Sequence, residues 1–231
     1  MNSKETPRRY RQNRFYCCYG KRILDLILTI PALIMLAPVM VAIALLIRDK
    51  IGRPIFFRQQ RPGLHGKPFT LYKFRTMTEA RDARGDSLPD SERLMPLGRC
   101  LRKYSLDELP ELFNVLKGDM SFVGPRPLLM EYLPYYSAEQ QRRHDRLPGI
   151  TGWAQIHGRN ECLFSRRLQF DIWYTEHLSF LLDVKILVSS VLIVLQGRGV
   201  RSDMEQYLSE VDDLGLSRRH QSSEPSKEMR A

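Results

Sequence analysis

Asp107 and Glu108 stand side by side in "YSLDELPEL", Tyr104 to Leu112, within a 231-residue chain whose formal net charge is +10. Adjacent helical residues project about 100° apart, so the two carboxylates do not form a symmetric acid/base pair around one atom. Unequal roles fit better, with one carboxylate attacking or aligning a phosphoryl group and the other holding a hard divalent cation. Mg²⁺ commonly takes only one or two protein carboxylates and completes its shell with phosphate oxygens and water. The plainer alternative is a capping box, with Ser105 as N-cap and Glu108 reaching back from the third helical position. Pro110 strains that register because it would lose an intrahelical bond, and a helix starting at Asp107 or later avoids the loss. Asp107 would then lie at the positive end of a helix, where anions are favoured.

Basic residues surround this dyad in the sequence: Lys73 in "YKFRTM", Arg102 in "LRKYSLDE" and Arg126 in "GPRP". The planar guanidinium fork suits phosphate oxygens, and such clamps stabilise a transferring phosphoryl group. Each of them singly reads better as a solvated surface charge, and it is their combination with an apolar membrane segment that points to a phosphorylated, lipid-linked substrate. The excess of 36 Lys and Arg over 26 acids implies an anionic partner: nucleic acid, an anionic lipid surface or a phosphorylated substrate. The four cysteines form no CxxC pair and no zinc-spaced cluster, which argues against a disulfide framework or a structural zinc.

The elements that must position these residues begin with "LILTIPALIMLAPVMVAIALLI", Leu26 to Ile47, uncharged and long enough for a hydrocarbon core of about 30 Å. Lys21 and Arg22 precede it and Arg48 and Lys50 follow, so flanking charge gives no orientation and both ends read as cytoplasmic. Pro31 and Pro38 kink or divide a helix. A re-entrant helix, a kinked span, and a buried core helix or signal peptide all compete for this segment. Next, "PIFFRQQ" and "PFTLYKFRTM" flank the turn-rich "RPGLHGK", which predicts a β-hairpin. Period two puts Phe69, Leu71, Lys73 and Arg75 on one face of its second strand.

A charged loop with a short helix then precedes the leucine-periodic "PLGRCLRKYSLDELPELFNVLKG". Gly124, Pro125 and Pro127 hold Arg126 in a constrained loop. A helix is expected from about Ser137 to Arg146, and "LPGITGWAQIHGRN" has the side-chain menu of a ligand-contacting loop, with Gln155 and Arg159 as candidate contacts. "SRRLQFDIWYTEHL" and "FLLDVKILVSSVLIVL" read as helices, the second packed on the domain or lying at a membrane interface. The expected organisation is a basic interfacial arm (1–20), a membrane helix (21–50), a cytosolic domain (51–200) and a polar, partly disordered tail (201–231).

The motifs "KRILDLILTIPALIMLAPV", "RPGLHGKPFTLYKFRTM", "LRKYSLDELPELFNVLKGDMSFVGPRPLL", "RLPGITGWAQIHGRN" and "WYTEHLSFLLDVKIL" together resemble the bacterial sugar transferase family. Within it, the chain is similar to the small monotopic polyprenyl-phosphate phosphoglycosyl transferases over about residues 20 to 200. The resemblance implies an α+β, mostly helical protein with a re-entrant membrane helix, a β-hairpin and a compact helical catalytic domain with interfacial helices. It implies an enzyme of the bacterial inner membrane, facing the cytoplasm, that moves sugar 1-phosphate from a UDP-sugar to undecaprenyl phosphate and releases UMP.

In that comparison Asp107 matches the nucleophile that becomes a phosphosugar ester, and Glu108 the Mg²⁺-binding partner. Lys73, Arg102 and Arg126 match the cationic motifs, and Gln155 and Arg159 are weaker candidates for nucleotide or sugar contacts. An aspartate with an ordinary pKa of roughly 3.9 needs no general base at neutral pH, although it does need cations beside it to approach a diphosphate. The family's helix breaks at Ser-Pro, whereas this chain has Ala37 before Pro38, with no hydroxyl for a freed carbonyl. The family resemblance in the region from "LPYYSAEQQRRH" to "HGRN" leans toward N-acetylated sugars, diacetamido sugars among them. The rival readings are a non-enzymatic membrane-anchored scaffold binding anionic lipid or a partner, and a nucleic-acid binder, against which the apolar run and the lack of any nucleic-acid motif both argue.

Overall fold

The computed structural model describes residues 15–82, 84–86, 88–157 and 164–195. Arg159, most of the expected basic arm and the whole of the expected tail lie outside them.

Helix α1, Lys21–Lys50, occupies the bounds predicted for the membrane segment and follows a turn of π-helix at Tyr16–Gly20. It runs without a change of assignment through Pro31 and Pro38. By length and composition the helical stretch Tyr16–Lys50 could cross a membrane. Ile27, Ile30, Ile34 and Met35 are exposed on it, an arrangement that suits lipid and not water. A stripe of buried residues nevertheless follows one face at helical spacing: Lys21, Asp25 and Thr29 near the start, then Met40, Ile43 and Ile47 near the end. Both ends of α1 therefore rest on the rest of the protein, although about 45 Å separates them along the axis.

The hairpin forms as the alternation predicts, with β1 (Phe56–Pro62) antiparallel to β2 (Pro68–Phe74) and Phe57 opposite Lys73. Phe69 and Leu71 are buried on the face that also carries Lys73, and pack with Val115 and Met120. Phe74, on the other face, packs with Ile43 and Ile47 of α1, so the hairpin lies between the long apolar helix and the segment that holds Val115 and Met120.

The leucine-periodic stretch is broken into pieces. After α2 (Asp90–Arg93), α3 runs from Pro96 to Lys103, with proline at its first position where the missing N–H costs nothing. Gly98 lets α3 press against the Thr76 backbone, where a Cβ would overlap it. Ser105 then adopts a left-handed conformation (φ 55°, ψ 25°), which turns the chain into a 3-10 turn at Leu106–Glu108. That conformation costs a non-glycine residue about 1–2 kcal/mol. Helix α4 follows at Glu111–Lys117 and ends at the left-handed Gly118.

Strand β3 (Ser121–Val123) pairs in parallel with β4 (Gly149–Thr151), a three-residue ladder that the sequence pattern did not indicate. A Cβ on Gly149 or Gly152 would overlap the Gly124 backbone, so these glycines permit the close crossing. Between the strands the expected helix is reduced to a capped turn, α5 (Ala138–Gln141), with a 3-10 extension at Arg142–Asp145. The short α6 (Trp153–Ile156) and the two helices predicted last, α7 (Phe164–His177) and α8 (Phe180–Leu195), complete the described fold. It is mostly helical with the hairpin, as expected, and carries a second small sheet that was not. Leu181, Val188, Val191 and Leu192 leave α8 with an exposed apolar face.

Candidate active site

Three stretches that are distant in sequence, around 73, 102–108 and 126, meet at one cleft of about 1970 Å³. β2 supplies Lys73, α3 supplies Arg102, the 3-10 turn supplies Asp107 and Glu108, and the loop after β3 supplies Arg126, all of them lining the cleft. Gln155 of α6 lines it too. The expected clustering of the dyad with three basic residues is thus present in space. The capping-box alternative is not formed, because Ser105 makes no side-chain cap bond and is left-handed. Asp107 and Glu108 lie in a helical turn just ahead of α4, in agreement with a helix that starts at Asp107 or later.

The two carboxylates differ in partners. Glu108 accepts through Oε1 from both Lys73 Nζ, at 2.6 Å, and Arg126 Nη2. Its other oxygen, Oε2, accepts no hydrogen bond among the described residues. Burial works against its charge, but Arg126 and then Lys73 outweigh burial and hold the carboxyl well below the usual range. Asp107 accepts no hydrogen bond and joins no ion pair among the described residues. Burial, followed by the charge of Glu108, raises its pKa, while Lys73, Arg102 and Arg126 oppose the rise. A carboxylate of raised basicity with no committed partner, set among three cations, is equipped to attack an electrophile that is itself an anion.

Sequence reasoning missed Glu111. It is 2% exposed and pairs with Lys73 at 3.1 Å. Burial dominates there and pushes its carboxyl up to about 7, with Glu108 adding to the rise and Lys73 opposing it. Helical spacing was a signal for it, since residues three apart share a face and Glu108 and Glu111 meet the same ammonium. Lys73, against its own burial, is raised by these two carboxylates and stays charged.

Also missed was the support behind Arg126. Arg143 donates to the Arg126 carbonyl at 2.6 Å and is locked to Asp171 through Nε at 3.1 Å and Nη2 at 2.6 Å, with both residues buried. A pair 28 residues apart leaves no local trace in the sequence. Arg102 binds more loosely, donating to Thr76 Oγ1 at 3.0 Å and to the weak acceptor Met77 Sδ at 3.1 Å. Both amide atoms of Gln155 are buried without a hydrogen-bond partner among the described residues.

Among the described residues no group of three or more His, Cys, Asp or Glu converges as a metal cage. Among the described residues that line the cleft, the Asp107 carboxylate and Glu108 Oε2 accept no hydrogen bond, a set that fits a cation needing few protein ligands and content with phosphate and water for the rest.

A cleft that gathers paired carboxylates and several cations beside a long apolar helix suits phosphorylated substrates. The model of the bacterial sugar transferase family matches residues 16–197, and the chain belongs to that family. It is 55% identical over 181 residues to the uncharacterized sugar transferase EpsL of Bacillus subtilis (strain 168), covering 78% of this chain and 90% of that one. It is 40% identical over 192 residues to the UDP-glucose:undecaprenyl-phosphate glucose-1-phosphate transferase of Xanthomonas campestris pv. campestris, covering 78% and 40%. It is 35% identical over 189 residues to the UDP-N-acetylgalactosamine-undecaprenyl-phosphate N-acetylgalactosaminephosphotransferase of Aeromonas hydrophila, covering 78% and 45%. The chain thus spans under half the length of the two relatives whose sugars are named.

Proposed function

We propose that the protein transfers sugar 1-phosphate from a UDP-sugar to undecaprenyl phosphate, the first membrane step in assembling a glycoconjugate or polysaccharide. The observation that carries this reading is the uncommitted Asp107 carboxylate beside Lys73, Arg102 and Arg126 in the cleft. The names of the Xanthomonas and Aeromonas relatives support the same class of reaction.

In the mechanism we propose, an Asp107 oxygen forms a bond to the β-phosphorus. The bond from that phosphorus to the bridging oxygen breaks, and its electron pair leaves on UMP. The lipid phosphate oxygen then attacks the phosphosugar ester, Asp107 departs as a carboxylate, and a diphosphate-linked lipid sugar results. Arg126 and Lys73 neutralise the phosphoryl oxygens as charge develops, and Arg102 is placed to take a further phosphate oxygen. Glu108, held ionised by its two cations, would hold Mg²⁺ through its open oxygen with Asp107 alongside. When bound, Mg²⁺ supplies charge neutralisation on the diphosphate and orients it.

The donor we propose carries an N-acetylated sugar, a reading supported by the likeness of the 133–160 segment and by the Aeromonas relative's name. Gln155, whose amide atoms have no partner among the described residues, and Arg159 are proposed nucleotide or sugar contacts.

The topology we propose is monotopic, with a re-entrant α1 in the inner membrane and residues 51–200 on the cytoplasmic side. What supports it is that both ends of α1 pack on one body: Lys21 pairs with Asp183 at 2.6 Å, and Ile47 packs with Phe74 and Leu101. A helix with its ends on opposite faces of a bilayer could hold the domain at only one of them. The exposed apolar face of α8 suits the interfacial role expected for that helix.

The test incubates the purified full chain with Mg²⁺, undecaprenyl phosphate and a panel of UDP-sugars. UMP release is expected, greatest with N-acetylated donors. Undiminished activity in Asp107→Asn would overturn the covalent mechanism, and no release from any donor would overturn the function. Single cysteines near the N-terminus and near Arg48 should label from the same side.

A further inference from the structure

One turn of α1 touches both segments that carry the reacting groups. Arg22 donates through Nη1 and Nη2 to the Val115 and Leu116 carbonyls, at 2.5 and 2.8 Å, in the last turn of α4, where carbonyls lack intrahelical partners. Asp25, 2% exposed, accepts through Oδ1 from the Ser121 hydroxyl at 2.9 Å and from the Phe122 N–H at 3.0 Å. α4 begins three residues after Glu108, and β3 ends three residues before Arg126. The membrane helix thus grips the far end of each catalytic segment.

Inside the cleft the same two segments are joined by the ion pair between Arg126 and Glu108. A diphosphate entering the cleft competes for that arginine, so this link cannot by itself keep the segments in register during the reaction. The Asp25 link is of another kind. Neither Asp25 nor Ser121 lines the cleft, and the bond between them is buried; the bond from the Phe122 N–H is half-buried, and Phe122 itself lines the cleft. Tyr174 extends the grip along the strand: its hydroxyl, held by Lys21 and Asp183, is 3.2 Å from the Val123 carbonyl.

We propose that Asp25 is a positioning residue for the transfer reaction. By holding Ser121 and Phe122, it sets where Arg126 meets the phosphoryl group, which makes the membrane helix part of the catalytic frame as well as an anchor. The proposal rests on the transferase reading given above.

The test measures kcat and KM for UMP release by the full chain in nanodiscs. Asp25→Leu is expected to lower kcat roughly 10- to 100-fold, the scale of a small misplacement of a reacting group, with KM for the UDP-sugar little changed. Asp25→Asn keeps a carbonyl oxygen for both donors and should restore most of the rate. A double-mutant cycle with Arg126→Gln separates positioning from general damage: if Asp25 acts through Arg126, adding Asp25→Leu to Arg126→Gln costs little more. Multiplied losses in the cycle, or an unchanged kcat in Asp25→Leu, would overturn the proposal. Should Asp25→Leu fail to fold, Ser121→Ala removes one donor from the strand side. A smaller loss of kcat, again non-multiplying with Arg126→Gln, is then expected, and an unchanged kcat overturns the proposal. Wild-type protein that releases no UMP from any donor refutes the transferase reading instead, so the two failures are distinguishable.

Discussion

Two buried groups of charges in this protein are built on opposite plans. At the root of α1, Lys21 Nζ meets Asp183 Oδ2 and Tyr174 Oη, the Tyr16 hydroxyl donates to the same Asp183 oxygen, and Tyr174 donates to Asp183 Oδ1, so both oxygens of that carboxylate are satisfied. The Arg143–Asp171 pair is buried as well, with Arg143 Nε and Nη2 both donating to Asp171 Oδ2. In the cleft, by contrast, Glu108 shares one oxygen between two cations, Glu111 leans on one of those cations, and Asp107 has no bonded partner among the described residues. Closed groups of this sort fix structure, because a buried charge without partners is costly. The cleft group leaves capacity unfilled on both signs, which is what a site that must accept an anion and form a bond to it requires.

Substitutions can break that contrast. The largest effect is expected from Asp107→Asn, which should reduce UMP release to background and leave the thermal midpoint close to wild type, since no folded-state bond is lost. Arg126→Gln should lower kcat/KM by roughly 10²- to 10³-fold, the range for removing one transition-state charge donor, and stability should fall far less than the rate. Arg143→Met should do the reverse. Breaking a buried pair from one side costs about 3–5 kcal/mol, read as a lowered denaturation midpoint, and the double variant with Asp171→Leu should recover part of it.

A smaller effect sharpens the contrast through pH. Glu111 has its carboxyl raised from an ordinary 4.5 to about 7 by burial. A raised folded pKa means the fold binds the proton more tightly than the unfolded chain, so that contribution to stability is full below about pH 4.5 and disappears as pH rises through about 7. Thermal midpoints without added metal should therefore fall across this window in wild type more steeply than in Glu111→Gln. The smallest effect is expected at Arg102, whose bonds to Thr76 and Met77 are weak. Arg102→Gln should raise KM for the UDP-sugar by roughly 3- to 10-fold with little change in stability.

Much of this was legible before any coordinates. Period two assigned Lys73 to the face of Leu71, and the structure keeps it there because the hairpin register puts Phe56 opposite Phe74. Long elements with strong patterns, namely α1, α7 and α8, appear nearly at their predicted bounds. Short elements were not legible. The β3–β4 ladder is three residues on each side, too brief for a periodic signal, and is decided by the glycine crossing at Gly124 and Gly149. The Ser105 capping box looked sound as a string, while the box that forms is at Ser137 and Gln140, because chain direction around Ser105 is set by the packing of α3 on Thr76.

By itself, then, the sequence determined the apolar helix, the hairpin, the pairing of Asp107 with Glu108 and a supply of arginines, because each is a matter of residue type at short range. Only the tertiary structure decided that Glu108 takes the cations and leaves Asp107 free, that Glu111 joins them, and that α1 grips α4 and β3 at once. Those outcomes depend on which charges end up within about 3 Å of each other in a medium with little water, where geometry and not composition sets the strength of an interaction.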